Sequence, residues 1–462
     1  MSPRTWTLRN ALQIERRPEL VALVGGGGKT SLMFALASEL PGRRIVTTTT
    51  RIFAAQMKHA PVVLSEHDLS RLDTALATHG YCLVIGRVDG DKALGVEPDL
   101  PAQLLARPDV DYVIVEADGS RMRPVKVPAA HEPVMPLGTS LLVPLAGMDA
   151  LEGPVDQVAH RPERARQLLR GSSLAAAMEP GRHRARRGEM IDRGDVLTAT
   201  GLARLLTHPQ GGMKDAPATA RVIPFLNKVE SAGRLAAARA VAQQMLEEPR
   251  ISRVVVGVLQ SESPVREVWR RVAGVILAAG ESKRMGRNKL LLPWGQTTVL
   301  GQTIANVARS GLHSCLAVTG YEHEHAEAIA RAHGVETRRN DDYATGMITS
   351  VQAAVRHLPE TVEALMVVLG DQPMVSPAIV DELIQAYAAG PKGLVAPAYH
   401  GKRGNPVVID RRFFTELLAL PPDDAPRTLL RRHPDELLTL DVAEESILRD
   451  LDWPQDYERY RP

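Results

Sequence analysis

The chain has 462 residues, too many for a single hydrophobic core, so at least two domains are expected. With 56 basic and 54 acidic side chains its formal net charge is only +2, which excludes a general electrostatic attraction to nucleic acid and requires a local site for any anionic ligand. The sequence shows neither a signal-peptide pattern nor an apolar run of the ~18 residues that cross a bilayer, and its two cysteines suggest no disulfide framework or metal cluster, so a cytoplasmic protein is predicted.

Short apolar runs alternate with helical periodicity along the whole chain, which predicts an α/β fold with mainly parallel sheets. The predicted strands of the first half are Leu20–Val24, Arg44–Thr48, Tyr81–Gly86, Tyr112–Glu116, Ser140–Pro144, Arg221–Leu226 and Arg253–Gly257. Those of the second half are Val272–Ala278, Ser314–Thr319, Ala364–Leu369, Gly393–Pro397 and Pro406–Ile409.

The first motif joins a strand to a glycine loop. Leu20–Val24 leads into Gly25-Gly26-Gly27-Gly28-Lys29-Thr30, and an apolar helix follows from Leu32 to Leu40. Glycines allow backbone N–H groups to surround phosphate oxygens, the lysine reaches the outer phosphates, and the threonine can touch a metal. We expect Gly25, Gly28, Lys29 and Thr30 to bind a nucleoside triphosphate in a compact Gly-x-x-Gly-Lys-Thr loop. The alternative is a flexible glycine turn.

Later segments of the first half carry further polar groups. The strand Tyr112–Glu116 is followed by Asp118, and the two carboxylates are candidates for holding a metal or positioning a water molecule. Asn227-Lys228-Val229-Glu230 resembles a guanine-reading Asn-Lys-x-Asp motif, with glutamate in place of the aspartate. Loop structure is an adequate account of His131 and His160.

Residues 18 to 260 resemble the selenium-dependent hydroxylase accessory family. The stretches that carry the resemblance are Gly25–Thr30, Thr47–Arg51, Glu116–Gly119 with Pro124–Pro133, and Leu205–Glu230. The resemblance implies a P-loop-like three-layer domain that binds a second NTP, assists maturation of a molybdenum cofactor and has a molybdenum hydroxylase apoenzyme as partner.

Two breaks interrupt the pattern. The polar stretch Gln260–Arg271 contains Pro264 and separates two strand-led units, which predicts domains at 1–265 and 270–462. A second break is expected at Glu179–Asp192, where the arginine-rich run Arg182–Arg187 is interpreted as a solvated loop rather than a nucleic-acid contact.

A second strand and glycine loop open the C-terminal half. Val272–Ala278 continues into Ala279-Gly280-Glu281-Ser282-Lys283-Arg284-Met285-Gly286-Arg287-Asn288-Lys289. The glycines allow close backbone approach, and three cations suit a triphosphate. Asp371 follows the apolar strand Ala364–Leu369, at the sheet edge where ligands bind in open α/β folds. As a hard oxygen ligand for Mg²⁺ it could be joined by Asp452, for which capping a helix is the alternative.

This half, Val272–Tyr460, resembles the molybdenum cofactor nucleotidyltransferases, which share the pattern Leu-Ala-Ala-Gly-x-Ser-x-Arg-Met-Gly-x-x-Lys. Further landmarks are Asn340–Ser350, Leu369–Pro373, Gly404–Val407 and Asp450–Pro454. The resemblance implies a Rossmann-like domain. It implies catalytic roles for Arg284, Lys289 and Asp371, Mg²⁺ binding by Asp371 and Asp452, and nucleotide binding by Leu277, Ala278, Ala279, Gly280, Asn340, Gly346 and Ser350.

The implied reaction transfers CMP from CTP to the terminal phosphate of molybdopterin. In the resembling enzymes Ala-Ala-Gly accompanies CTP and Ala-Gly-Gly accompanies GTP, and the methyl group of Ala279 offers a steric reason. A Gly-Asp-x-Gly-Ala-Arg stretch of the cytidylyl members is replaced here by Asp423-Asp424-Ala425-Pro426-Arg427-Thr428. A GTP-using enzyme, a sugar- or polyol-phosphate nucleotidyltransferase, and a carrier that delivers finished cofactor are the alternatives.

Overall fold

The structure is a computed structural model that describes residues 6–15, 17–170 and 196–462. It divides into two compact units, Met1–Val268 and Trp269–Pro462. The second predicted break, Glu179–Asp192 with its arginine run, lies outside the described residues. None of the helices in the described ranges has the length and apolar character that crossing a bilayer requires.

The first unit is built on strands separated by short helices. The strands are β1 (Glu19–Gly25), β2 (Arg44–Thr48), β3 (Arg51–Phe53), β4 (Val63–Ser65), β5 (Tyr81–Ile85), β6 (Val88–Asp89), β7 (Lys92–Leu94), β8 (Tyr112–Glu116), β9 (Val125–Lys126), β10 (Leu141–Gly147), β11 (Ala159–His160), β12 (Arg221–Val222), β13 (Phe225–Asn227), β14 (Arg253–Gly257) and β15 (Val265–Arg270), whose last two residues belong to the second unit. The helices are α1 (Leu8–Ala11), α2 (Lys29–Glu39), α3 (Leu72–His79), α4 (Leu100–Leu105), α5 (Val155–Val158), α6 (Pro162–Arg170), α7 (Ala199–Thr207) and α8 (Ala232–Met245).

Its main sheet has the strand order β15-β14-β13-β10-β1-β8-β2-β5-β4, with β12 beside β10. The strand β1 lies at the centre because all seven of its residues are buried, and it pairs in parallel with β8 and β10. Parallel pairing brings the carboxyl ends of β1, β8 and β13 to one edge of the sheet, where the loop before α2 begins. Helices α3 and α4 cover one face through Leu72, Leu76 and Leu104.

The second unit has a smaller sheet of the same kind. Its strands are β16 (Val272–Ala278), β17 (Pro293–Trp294), β18 (Thr297–Thr298), β19 (Ser314–Thr319), β20 (Glu336–Arg339), β21 (Ala364–Leu369), β22 (Leu394–Tyr399), β23 (Lys402–Arg403), β24 (Val407–Asp410) and β25 (Leu437–Asp441). Its helices are α9 (Val299–Ala308), α10 (His323–Ala332), α11 (Met347–His357), α12 (Pro377–Ala388), α13 (Phe414–Ala419), α14 (Pro426–Arg432) and α15 (Pro454–Tyr460).

The strand order in this sheet is β20-β19-β16-β21-β24-β22-β23, with β25 beside β22. The strands β20, β19, β16 and β21 are parallel, whereas β24 runs antiparallel to both of its neighbours. Successive side chains of β16 enter opposite cores: Ile276 packs with α9, α10 and α12, and Val275 packs with α11 and α13. Helices therefore cover both faces, and the predicted mainly parallel α/β fold is confirmed.

Some of the predicted elements differ from those observed. The stretch Gln260–Arg271 was expected to be a polar linker, but it contains strand β15, because Val265, Val268 and Trp269 are buried. The predicted strand Arg221–Leu226 is divided into β12 and β13. Both cysteines lie in strands, as the sequence predicts, and burial raises the pKa of the Cys82 thiol to about 12 and that of Cys315 to about 11.

Candidate functional site

A cavity of about 530 Å³ opens at the carboxyl edge of β16 and β21 in the second unit. The two strands are parallel neighbours, and the glycine loop and Asp371 follow their ends. The lining comes from the loop, from the start of α11, and from the chain before α15. It consists of Leu277, Ala279, Gly280, Glu281, Ser282, Lys283, Arg284, Lys289, Leu290, Tyr343, Ala344, Met347, Ser350, Leu369, Asp371, Asp450 and Asp452.

The loop after β16 is folded by its own side chains. Ser282 takes a left-handed conformation, and its hydroxyl oxygen accepts a hydrogen bond of 3.2 Å from the backbone N–H of Lys289. Asn288 is buried, accepts from the N–H of Leu290 and donates to Glu322. These contacts close the loop so that Lys289, seven residues after Ser282, returns to the cavity wall.

The cations of the loop divide into two kinds. The Lys283 side chain is 82% exposed and pairs with Glu281, whereas the Lys289 side chain is only 15% exposed. Lys289 Nζ contacts the carboxylate of Asp371 and lies 2.9 Å from Asp452 Oδ1. Arg284 lies 2.5 Å from the other oxygen of Asp452. The predicted catalytic and metal-binding side chains are thus together in one cluster of two cations and two carboxylates.

The charges in this cluster keep Lys289 and Asp452 ionised. Burial opposes the charged form of Lys289, but Asp371 and then Asp452 outweigh it and raise the pKa of the ammonium group. Burial likewise opposes ionisation of Asp452, yet the hydrogen bond and charge of Lys289, assisted by Arg284, lower its pKa. Both groups therefore carry full charge near neutral pH.

Asp450 also lines the cavity, although the sequence predicts no role for it beyond its place in the segment Asp450–Pro454. Its carboxylate accepts a hydrogen bond of 2.6 Å from the buried Gln372, and burial together with the charge of Asp371 raises its pKa to about 6. The pattern Asp450-Leu451-Asp452 is a signal from which both aspartates could have been predicted at the site. Leu451 is fully buried, and Asp450 and Asp452 on either side of it line the cavity.

Asp371 and Asp452 also offer suitable ligands for a divalent metal. Within the parts of the chain that the structure describes, no three His, Cys, Asp or Glu side chains converge closely enough to hold a metal ion by themselves. The two carboxylates do converge on a single cation, the ammonium of Lys289. Two carboxylates suit Mg²⁺ when phosphate oxygens and water complete its coordination, so this donor set fits the predicted metal.

The predicted nucleotide-binding residues fall into two groups. Leu277, Ala279, Gly280 and Ser350 line the cavity. Three others lie behind its wall: Ala278 packs in the core, Asn340 is buried and donates to the hydroxyls of Thr349 and Ser350, and Gly346 begins α11. A Cβ at Gly346 would come within 1.8 Å of the Pro422 carbonyl oxygen. Asn340 and Gly346 therefore shape the wall, and their predicted contact with nucleotide stays a prediction.

The first unit has a larger cavity, of about 1070 Å³, at the carboxyl edge of β1. Gly27, Gly28, Lys29 and Thr30 line it where the loop enters α2. Gly28, at φ +138°, occupies the N-cap position, and a Cβ there would lie 2.5 Å from the side chain of Asn227. The strand, glycine loop and helix thus have the arrangement expected of a phosphate site.

Lys29 is buried and joined to both carboxylates after β8. Its ammonium lies 3.2 Å from Asp118 and 3.7 Å from Glu116, and it donates to the Gly25 carbonyl. Thr30 donates to Glu116 over 2.7 Å. Burial raises the pKa of Glu116, while for Lys29 the charges of Asp118 and Glu116 outweigh burial and raise the pKa.

Two of the residues predicted to contact a nucleotide here make hydrogen bonds that hold the loop in place. The N–H of Gly25 donates to Asp118, so Gly25 fixes the base of the loop and is not on the cavity wall. The amide of Asn227 donates one hydrogen bond to the Gly27 carbonyl and accepts one from the Leu259 N–H. Asn227 therefore braces the loop while it also lines the cavity, and base reading by its motif stays a prediction. His131 and His160, for which loop structure is an adequate account in the sequence, both line the cavity, and His160 lies in β11.

Comparisons with known proteins agree with this division of the chain. Residues 21–163 match the model of the YqeC protein family, and residues 274–437 match the MobA-like NTP transferase domain. The chain is 30% identical over 242 residues to the uncharacterized protein YqeC of Escherichia coli (strain K12), a match that covers 52% of this chain and 85% of that protein. It is 31% identical over 191 residues to the molybdenum cofactor cytidylyltransferase of the same organism, covering 40% and 95%.

A solved structure, that of a Mycobacterium tuberculosis Rv0371c homolog from Mycobacterium sp. strain JC1, is 28% identical and covers 41% of this chain and 94% of that one, with a TM-score of 0.38. The fusion predicted from the two motif sets is confirmed. The chain belongs to the YqeC family over its N-terminal part and to the MobA-like NTP transferase family over its C-terminal part.

Proposed function

We propose that the C-terminal unit transfers CMP from CTP to the terminal phosphate of molybdopterin and releases pyrophosphate. One observation carries the proposal: Lys289 and Arg284 meet Asp371 and Asp452 in a cavity beneath a glycine loop. The similarity to the molybdenum cofactor cytidylyltransferase of Escherichia coli supports this choice of substrates.

The proposed chemistry needs alignment and charge more than a strong base. The acceptor is a phosphate monoester that is already anionic near neutral pH, so its oxygen attacks the α-phosphorus of CTP directly. A bond forms between that oxygen and the α-phosphorus, the α–β bridge breaks, and its electrons leave with pyrophosphate. Lys289 and Arg284 supply positive charge where negative charge develops, and the cavity wall fixes the reactants in line.

Mg²⁺ is the proposed metal, and Asp371 and Asp452 are the residues that would hold it. When bound, such an ion neutralises charge on phosphate oxygens. The chain's own contribution is to hold Asp452 in its ionised form through Lys289 and Arg284, and to place Asp371 and Asp452 beside the glycine loop.

Selection of cytosine over guanine is proposed to depend on Ala279. Its side chain is nearly buried at the end of β16 and lines the cavity. A Cβ placed at Gly320 would lie 2.7 Å from Tyr343 and 2.8 Å from the Ala279 methyl group, so these residues are packed closely around the wall. Space for a purine is correspondingly restricted.

The N-terminal unit is proposed to bind a second NTP through Lys29 and Thr30 and to assist maturation of the cofactor for a molybdenum hydroxylase. Support comes from the glycine loop at the carboxyl edge of β1 and from the carboxylates that face Lys29 and Thr30. These carboxylates would hold the metal that accompanies a triphosphate.

The test is to incubate the full chain with molybdopterin, Mg²⁺ and each NTP in turn, and to measure pyrophosphate and dinucleotide. The proposal expects products with CTP, little with GTP, and none from Asp371→Asn. Sugar and polyol phosphates in place of molybdopterin examine the other acceptor class. Faster turnover with one of them, or with GTP, would overturn the assignment of substrates.

A further inference from the structure

A chain of ion pairs leads from Lys29 in the phosphate loop to Arg161, and its members Lys29, Glu132 and Arg161 line the N-terminal cavity. Lys29 pairs with Asp118 at 3.2 Å, Asp118 with Lys126 at 3.5 Å, Lys126 with Glu132 at 3.0 Å, and Glu132 with Arg161 at 2.5 Å. Lys29, Asp118 and Lys126 are each at most 4% exposed. These three buried side chains alternate in charge, and loss of one partner would leave an uncompensated buried charge that destabilises the folded protein. We therefore interpret the chain of ion pairs as a specific feature of this site.

The far end of this chain carries cationic groups that the nucleotide loop does not use. We call Arg121, His160 and Arg161 the basic wall; all three line the cavity. Arg161 is held in a left-handed conformation at φ +70°. Arg121 is exposed, and among the described residues it makes no ion pair. The basic wall therefore presents positive charge to the cavity that the protein only partly neutralises.

His160 adds a polar atom that lacks a protein partner. Its Nδ1 is buried and forms no hydrogen bond within the described residues. Burial, followed by the charges of Arg161 and Lys126, lowers the pKa of His160 to about 4, so the ring is neutral at physiological pH. A neutral imidazole can donate from one ring nitrogen, which makes it a suitable partner for an oxyanion oxygen next to two guanidinium groups.

The size of the cavity leaves room for more than a nucleotide. Its volume of about 1070 Å³ is at the upper end of the ~300–1,000 Å³ typical of ligand pockets. The residues expected to hold phosphates, Gly28, Lys29 and Thr30, occupy only its β1 edge. In the basic wall His160 ends β11 and Arg161 follows it, and Arg121 lies between β8 and β9. The ion pairs of Lys126 and Glu132 lie between Arg161 and the Lys29 end of the chain of ion pairs.

We propose that the basic wall binds a phosphate group of a second ligand while a nucleotide occupies the Lys29 loop. This inference rests on the proposed nucleotide binding by the N-terminal unit and adds a co-substrate site to it. The ligand class is a phosphate monoester or free phosphate, because a bidentate guanidinium together with a neutral imidazole donor suits a tetrahedral dianion.

The experiment uses the full chain saturated with ADP and Mg²⁺, into which inorganic phosphate or glycerol 3-phosphate is titrated by calorimetry. One additional equivalent is expected to bind. Arg121→Ala and Arg161→Gln should each weaken it at least five-fold and leave ADP binding within two-fold of wild type. Arg87→Ala, an exposed arginine away from the cavity, serves as the matched control and should change neither. Tighter binding of the monoester would indicate a larger phosphorylated ligand.

Loss of phosphate binding once ADP is present would overturn the proposal, as would equal affinity in Arg121→Ala and Arg87→Ala. Failure of the nucleotide proposal is separately visible, because ADP would then not bind to the wild-type chain. In that case phosphate is titrated alone: binding abolished by Arg121→Ala and retained in Lys29→Ala supports the basic wall, and the reverse refutes it.

Discussion

Replacing Lys289 by methionine should reduce CMP transfer by two to three orders of magnitude. Methionine keeps most of the aliphatic volume and removes the ammonium group that contacts Asp371 and Asp452. Removing one preorganised donor from a reacting centre typically costs ~10²–10³ in kcat, about 2.7–4 kcal/mol. The upper part of that range is expected because the Lys289 side chain is only 15% exposed and is screened little by water.

The same substitution should strengthen metal binding to the nucleotide-free protein. In the wild type the ammonium of Lys289 occupies the space between the carboxylates that are proposed to hold Mg²⁺. A hydrogen bond to a charged group contributes ~1.5–3 kcal/mol, so its removal should tighten Mg²⁺ binding by about ten-fold or more. Opposite signs for metal affinity and turnover separate this mechanism from simple loss of structure.

The assay pairs dinucleotide formation with Mg²⁺ titration for Lys289→Met and for Lys283→Met. Lys283 is in the same loop, but its side chain is 82% exposed and forms an ion pair with Glu281. Because exposed ion pairs contribute little, its replacement should change turnover less than five-fold. Equal losses of turnover in the two variants would refute the reasoning, because the buried position of Lys289 next to Asp371 would then make no difference to catalysis. Unchanged Mg²⁺ affinity in Lys289→Met would refute the assignment of the metal to these carboxylates.

Asp371→Asn should abolish transfer with an unchanged fold, and near-normal turnover by a folded variant would remove Asp371 as the metal ligand. Ala279→Gly should raise the efficiency with GTP relative to CTP, by tens-fold at most because one methyl-scale contact contributes ~1–3 kcal/mol; an unaltered ratio would place base selection elsewhere. A fragment starting at Trp269 should transfer CMP without the N-terminal unit. Lys29→Ala in the full chain should likewise leave CMP transfer unchanged. A fragment that folds but is inactive would mean that the two units are functionally coupled. Burial opposes ionisation of Glu132, but the hydrogen bonds from Lys126 and from the backbone N–H of Ala129 outweigh it and lower the pKa to about 2. The ionised Glu132 therefore stabilises the folded protein above about pH 4.5, and this contribution is lost as the pH falls toward 2. Melting curves of Glu132→Gln should therefore depend less steeply on pH in that interval, and an identical slope would contradict the pairing.

The starting point at Trp269 differs from the boundary predicted at residue 270. Trp269 is 2% exposed and lies directly over Gly311, where an added Cβ would come within 2.0 Å of its ring. A fragment beginning one residue later would leave an apolar cavity there. The sequence could not reveal this contact, because Gln260–Arg271 is polar on average and its buried positions are set by strand pairing.

Local features of the sequence were sufficient for the two glycine loops and for the strands before them. The runs Leu20–Val24 and Val272–Ala278 are apolar on both faces, and a glycine loop follows each directly, so strand and loop are encoded side by side. The strands β20 and β25 were missed because their residues are mostly polar or half-exposed and show no alternation. Pairing with a neighbour, rather than burial, defines such edge strands.

Contacts between distant segments set the rest of the site. The raised pKa and the hydrogen bond of Asp450 depend on Asp371 and Gln372, which follow the end of strand β21 about 80 residues earlier in the chain. Likewise the pairing of β9 with β11 brings Lys126 next to His160 of the basic wall, whereas Arg121 comes from the loop after β8. A single sequence contains the residues of such clusters but not their proximity.

Cys82 is buried and Cys315 is partly buried, which has a practical consequence for studying the two units. A thiol reacts as its thiolate, and pKa values of about 12 and about 11 leave almost none of that form near neutral pH. Because these are the chain's only cysteines, the wild-type protein should be nearly inert to maleimide dyes. One cysteine introduced at the exposed Trp453 and another at the exposed Met122 would then be the only reactive thiols, one in each unit. Energy transfer between the two dyes would report directly whether nucleotide binding in one unit changes its distance from the other.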